Sequence, residues 1–189
     1  MPRNGDEARK RLRHAALELF TENGFDQTTA AQIAARAGVT ERTFFRHFPD
    51  KREVLFDGQN ILGTALSEEI GNAPSQLPPI QTLHRAFASI TEMLEKNRQY
   101  SEPRQRIISG NPSLQEREVA KHAALIGVVV AALRRRGVEK QRASLAAQAG
   151  LAVLGYALDS WFADPSLQLG DYLDRGFVEL QKLSSPIDP

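Results

Sequence analysis

The sequence predicts an all-α protein, with three short N-terminal helices followed by a longer set of helices. Apolar residues recur at three-to-four spacing, as in Ala8, Leu12, Ala15, Ala16, Leu19 and Phe20. No alternating run rich in Val, Ile and Thr is bounded by turn residues, so strands are not expected. Capping residues and Gly or Pro stops also fall where one helical pattern gives way to the next.

The first helix stops at Asn23-Gly24, a pair suited to a C-terminal cap. A short second helix opens at Thr29, where Thr29 and Gln32 have capping-box spacing, and ends at Gly38. The third opens at Thr40 and ends near Phe48-Pro49. Asp50 and Glu53 form another capping-box pair, which predicts a fourth helix to about Ile70. A loop from Gly71 to Pro79 follows, then a helix over Ile80–Asn97 and a short segment interrupted by Pro103. Asn111-Pro112 gives an N-cap with Pro at the first helical position, and that helix runs to Arg136-Gly137. Further helices are expected over residues 140 to 163, stopped by Asp164-Pro165, and over residues 171 to 183.

Composition excludes several classes of function. The chain has no cysteine, which removes disulfides, thiolate metal sites and a cysteine nucleophile. No apolar run is long enough to span a bilayer, so no membrane partner is expected. The polar start, Met1-Pro2-Arg3-Asn4-Gly5-Asp6, lacks a signal-peptide core, and a cytoplasmic location is expected. The net charge of +1 gives no argument for nucleic acid, so any such argument rests on where the charges sit. No phosphate-loop, dinucleotide, zincin or nucleophile-elbow pattern occurs. His14, His47, His84 and His122 are scattered over different helices without metal spacing. No catalytic residue, metal site or cofactor is expected.

Two short helices joined by a turn containing Gly form the helix-turn-helix pattern. Ile33, Ala34 and Ala37 give the first of them an inner face, Gly38 suits a tight turn, and Val39 plugs the corner. On the second, Phe44 and Phe48 are four apart and share a face that docks against Phe20 and Ile33. Arg42, Phe45 and Arg46 fall on the opposite face, an arrangement suited to a DNA major groove. Between Arg36 and Arg52 there are five Arg/Lys and two acids, a local basic excess. The helix start at Thr29 is suited to a phosphate. From these residues alone, a DNA-reading face and an ordinary solvated charged face both stand.

The run Ala15-Ala16, Leu19-Phe20, Gly24-Phe25, Thr28-Thr29, Ile33-Ala34, Ala37-Gly38-Val39-Thr40, Thr43-Phe44-Phe45, His47-Phe48 and Lys51 resembles the N-terminal domain of the tetracycline-repressor (TetR) family. The resemblance covers about a quarter of the chain without gaps. It implies a DNA-binding domain over residues 1–54 and a helical ligand-binding and dimerisation domain over residues 55–189. It also implies a transcriptional repressor released from double-stranded operator DNA by an unidentified small-molecule effector. By position, Thr29 and Gln32 match the phosphate-contacting start of the second helix. Arg42 and Thr43 match the base-reading start of the third, with Glu41 beside them, and Thr40, the cap of that helix, joins the DNA-contact candidates. Phe45, His47 and Lys51 match the aromatic, His and Lys that hold the DNA backbone. Tyr is commoner than Phe at position 45, and its phosphate hydrogen bond is lost here. Arg46 is the candidate replacement.

Residues 143 to 162 are apolar on most of their circumference, with Leu145, Ala149, Ala152, Val153, Tyr156, Ala157, Trp161 and Phe162. A helix apolar on two sides must bury both, so the last two helices are the expected homodimer interface, a central helix of a monomeric bundle being the alternative. Phe87, Ile90, Met93, Leu94, His122, Tyr156 and Trp161 are candidates for lining an effector pocket, although Met and aromatics at helical spacing more often form plain core.

Overall fold

The computed structural model describes residues 3–184. Among them the elements are α1 (Arg3–Asn23), α2 (Ala30–Arg36), α3 (Glu41–His47), α4 (Gln59–Asn72), α5 (Pro79–Lys96), α6 (Arg98–Ser109), α7 (Pro112–Arg135), α8 (Lys140–Ala163) and α9 (Leu169–Ser184), with no strand. They group into two compact units. Of the described residues, the first takes 3–59 and 97–121, and the second takes 60–96 and 122–184.

In the first unit α1 buries Leu12, Ala15, Ala16, Leu19 and Phe20 against Ile33 and Ala34 of α2 and Phe44 of α3. Ile108 of α6 and Leu114 at the start of α7 join the same core. The expected boundary at residue 54 therefore differs from this unit. The sequence offers no continuous segment for it, because α6 and the first turns of α7 return from later in the chain.

The start of α4 also differs from the sequence expectation. Asp50 does cap, accepting from the amides of Arg52 at 2.7 Å and Glu53 at 3.2 Å. Residues 51–58 nonetheless form successive turns, and α4 begins only at Gln59. Three causes are visible. The Glu53 carboxylate is drawn to Arg117 and Lys121 instead of closing a capping box. The carbonyls of Val54 and Leu55, which a helix would use internally, accept from Tyr100 and Arg104. Gly58 adopts φ +97°, which no continuing helix has.

The second unit has its own core, with Leu83, Ala86, Phe87 and Ile90 of α5 packed on Ala143, Ala147, Leu151, Leu154 and Trp161 of α8 and on Leu173 and Phe177 of α9. Two glycines permit close helix approach. A Cβ at Gly150 would fall 2.7 Å from Leu83 Cδ1, and one at Gly176 would fall 2.8 Å from Val153 Cγ1. Arg136 closes the C-terminal end of α4, donating to the carbonyls of Ile70 (3.0 Å), Ala73 (2.6 Å) and Pro74 (2.6 Å). Pro103, expected to interrupt, lies inside the helix α6.

Candidate nucleic-acid interface

The α2–α3 pair is built by its caps. Thr29 Oγ1 accepts from the Gln32 amide at 3.2 Å, while Gln32 Oε1 accepts from the Thr29 amide at 2.8 Å, closing the capping box. Gly38 takes φ +67° in the turn between the helices, so a side chain there would be strained. Thr40 Oγ1 accepts from the Thr43 amide at 3.2 Å, and the two threonine hydroxyls lie 3.0 Å apart.

The faces of α3 divide as the spacing predicts. Phe44 and Phe48 are buried at 0% and 2% exposure. Phe45, 50% exposed, stands edge-on to Phe44 with ring centroids 5.3 Å apart. Thr29, Gln32, Thr40, Glu41, Arg42 and Arg46 are exposed, while Thr43 and His47 are half-buried.

The local basic excess is smaller than the sequence suggests. Arg36 is held by Glu22 at 2.8 Å and Glu18 at 3.2 Å, which raises its pKa further above the usual arginine value. Arg52 pairs with Asp50 at 2.8 Å. Lys51, expected at the DNA backbone, is half-buried. Its Nζ donates to the carbonyls of Phe25 (2.8 Å), Thr28 (2.8 Å) and Asp26 (3.3 Å), and lies 4.4 Å from the centre of the Phe25 ring. An ammonium has three N–H groups, and all three are used here. Of the five basic residues, Arg42 and Arg46 are the two on the exposed face of α3. His47 has its Nε2 buried with no hydrogen-bond partner among the described residues. Burial first, then the charges of Arg46 and Arg9, hold its pKa below the ordinary histidine value.

Several residues that hold this surface in place were not identified from the sequence. Arg9 grips Asp57 through two nitrogens, at 3.0 and 2.7 Å, and lies over the Phe48 ring. Arg13 stacks on Tyr100 with 4.2 Å to the ring centre. Arg104 donates to the Leu55 carbonyl at 2.5 Å and to Glu118 at 2.7 Å. The four-residue spacing of Tyr100 and Arg104 on α6 was the available signal, and it gives a face but no partner.

The seven pocket candidates divide between core and surface. Phe87, Ile90 and Trp161 are packed in the core of the second unit, at 0%, 4% and 5% exposure. Met93, Tyr156 and His122 are exposed. Their side chains fall on outward faces of helices whose inward faces are filled by others, as Tyr156 does beside the buried Ala157 of α8. Leu94 is partly buried against the same core. On the outer side of α8 and α9, Leu145 (61%), Tyr156 (60%), Val178 (50%) and Leu183 (84%) are exposed. Among the described residues, no three His, Asp or Glu side chains are placed to share a metal ion. No helix there is long and apolar enough to cross a membrane.

Two family models match this chain. That of the bacterial regulatory proteins of the tetR family matches residues 12–57, and that of the MftR C-terminal domain matches residues 77–184, more than half of the sequence. The chain belongs to the TetR family. It is a helix-turn-helix transcriptional regulator with an MftR-type C-terminal region. Among its relatives, this TetR-family chain is 26% identical to MftR of Mycobacterium tuberculosis, over 86% of this chain and 83% of that protein. It is 37% identical to the transcriptional regulator TcmR of Streptomyces glaucescens, over 43% of this chain and only 36% of that protein. Among solved structures, Thermus thermophilus FadR, a TetR-family repressor in complex with lauroyl-CoA, is 28% identical with a TM-score of 0.60. That match covers 96% of this chain and 97% of that one.

Proposed function

We propose that the chain is a cytoplasmic, non-catalytic homodimeric repressor, whose two α3 helices read a near-palindromic operator and which a small molecule releases. The observation that carries this reading is the outer face of α3, where Arg42, Phe45 and Arg46 stand exposed over the buried Phe44 and Phe48. Arg42 pairs with a guanine edge, and Glu41 beside it accepts from a cytosine amine. Phe45 meets a thymine methyl. Thr29, Gln32, Thr40, Thr43 and Arg46 hold phosphates or flanking edges, and His47 backs the helix. Dimerisation runs through α8 and α9, supported by the four large apolar side chains exposed there.

The effector reading rests on the family and on the FadR complex with lauroyl-CoA. The apolar residues Phe87, Ile90 and Trp161 would form its wall in the second unit. Release is a population shift, so the effector must bind the DNA-free state better than the bound one. Selection of bound duplexes from random DNA, followed by footprinting, tests the reading. Two half-sites about one helical turn apart are expected. A protein that retains no preferred sequence at any salt concentration would contradict it.

A further inference from the structure

The ammonium of Lys51 sits where three backbone carbonyls converge, those of Phe25, Asp26 and Thr28, all from the loop joining α1 to α2. The residue after this trio is Thr29, the N-cap of α2. Thr28 is itself fully buried, its one O–H shared between the carbonyls of Gly24 (2.9 Å) and Leu19 (3.2 Å). The loop is thus pinned from both sides, by Thr28 toward α1 and by Lys51 from the segment that follows α3. The ammonium also lies 4.4 Å from the centre of the Phe25 ring.

We propose that Lys51 is a positioning residue for DNA reading: it fixes the α1–α2 loop, and with it the start of α2 relative to α3, and does not itself hold a phosphate. This rests on the DNA-reading function proposed above. The geometry argues it on two grounds. A phosphate would have to take an N–H away from a carbonyl, leaving that carbonyl without its partner. The three acceptors also converge on a point, which suits a tetrahedral ammonium. A planar guanidinium, whose donors lie in one flat fork, does not match them.

That difference supplies the test. Full-length wild type, Lys51→Arg and Lys51→Met are titrated with a duplex that the wild type selects from random DNA, and with a scrambled duplex. Titrations run over a range of salt, at temperatures where each variant's melting curve shows it folded. In the free proteins, amide exchange is followed from Asp26 to Gln32. Positioning predicts that both variants lose roughly tenfold or more on the selected duplex and little on the scrambled one. It also predicts faster exchange in the loop, and a salt slope changed by well under one unit per head. A phosphate contact predicts instead that Lys51→Arg binds like wild type, and that Lys51→Met lowers the salt slope by about 0.9 per head with loop exchange unchanged. That pattern would overturn the proposal. If the wild type selects no duplex, the DNA reading fails by itself. The exchange measurement still decides whether Lys51 holds the loop, and unchanged exchange in both variants overturns the proposal there too.

Discussion

The hydroxyl of Tyr100 donates to the backbone carbonyl of Val54 at 3.0 Å, tying α6 to the turn segment that follows the helix-turn-helix. Arg104, one helical turn on, does the same for Leu55. Together they take carbonyls that a continuous helix from Asp50 would have used.

Tyr100→Phe removes that hydrogen bond while keeping a ring for Arg13 to stack on, 4.2 Å from its centre in the wild type. An acceptor left without its partner costs about 1–3 kcal/mol. Urea unfolding should show a loss of that size, with amide exchange accelerated over residues 51–58. An unchanged midpoint would mean that the Val54 carbonyl finds another donor.

Gly176→Ala should disturb the α8–α9 pair. The new methyl would stand 2.8 Å from Val153 Cγ1 and 3.5 Å from Tyr156 Cδ1, and overpacking of this kind costs about 1–3 kcal/mol. Because α8 and α9 are the proposed dimer surface, light scattering at falling concentration should show the variant dissociating earlier than the wild type. Equal stability and equal dissociation would show that the helices separate at no cost.

Local and long-range interactions differ in how legible they are in the sequence. Caps and inner faces depend on neighbours within a few residues, so Thr29 with Gln32, Thr40, Phe44, Phe48 and the Asn111-Pro112 start were legible. Ion pairs and carbonyl captures depend on residues far apart in the chain. The basic excess from Arg36 to Arg52 therefore looked larger than it is, since Glu18, Glu22 and the loop carbonyls that occupy Arg36 and Lys51 lie on other elements. The same limit hid the recruitment of α6 and the start of α7 into the first unit. Periodicity marked Tyr156 and Trp161 alike as apolar, but only packing distinguishes the exposed one from the buried one.

Acid should weaken the first unit through Glu53. The hydrogen bond from Arg117, at 2.6 Å, and the charge of Lys121 hold its carboxyl below the ordinary value. A depressed carboxyl contributes stability that is fully present above the ordinary glutamate pKa of about 4.3 and is lost as pH falls through the folded value. Wild type should therefore exceed Glu53→Gln in unfolding midpoint at pH 7, and the gap should close progressively below about pH 4.3. A gap independent of pH would mean that the ion pair does not stabilise the fold.

The most direct test of the central claim is the affinity of Arg42→Ala for a selected duplex and for a scrambled one, compared with wild type at the same salt. If α3 reads sequence through its exposed face, the selected duplex should lose about 1–3 kcal/mol of binding, with discrimination relaxed at one guanine position and the scrambled duplex little affected. Equal loss on both duplexes would contradict the account, since Arg42 would then hold only phosphate.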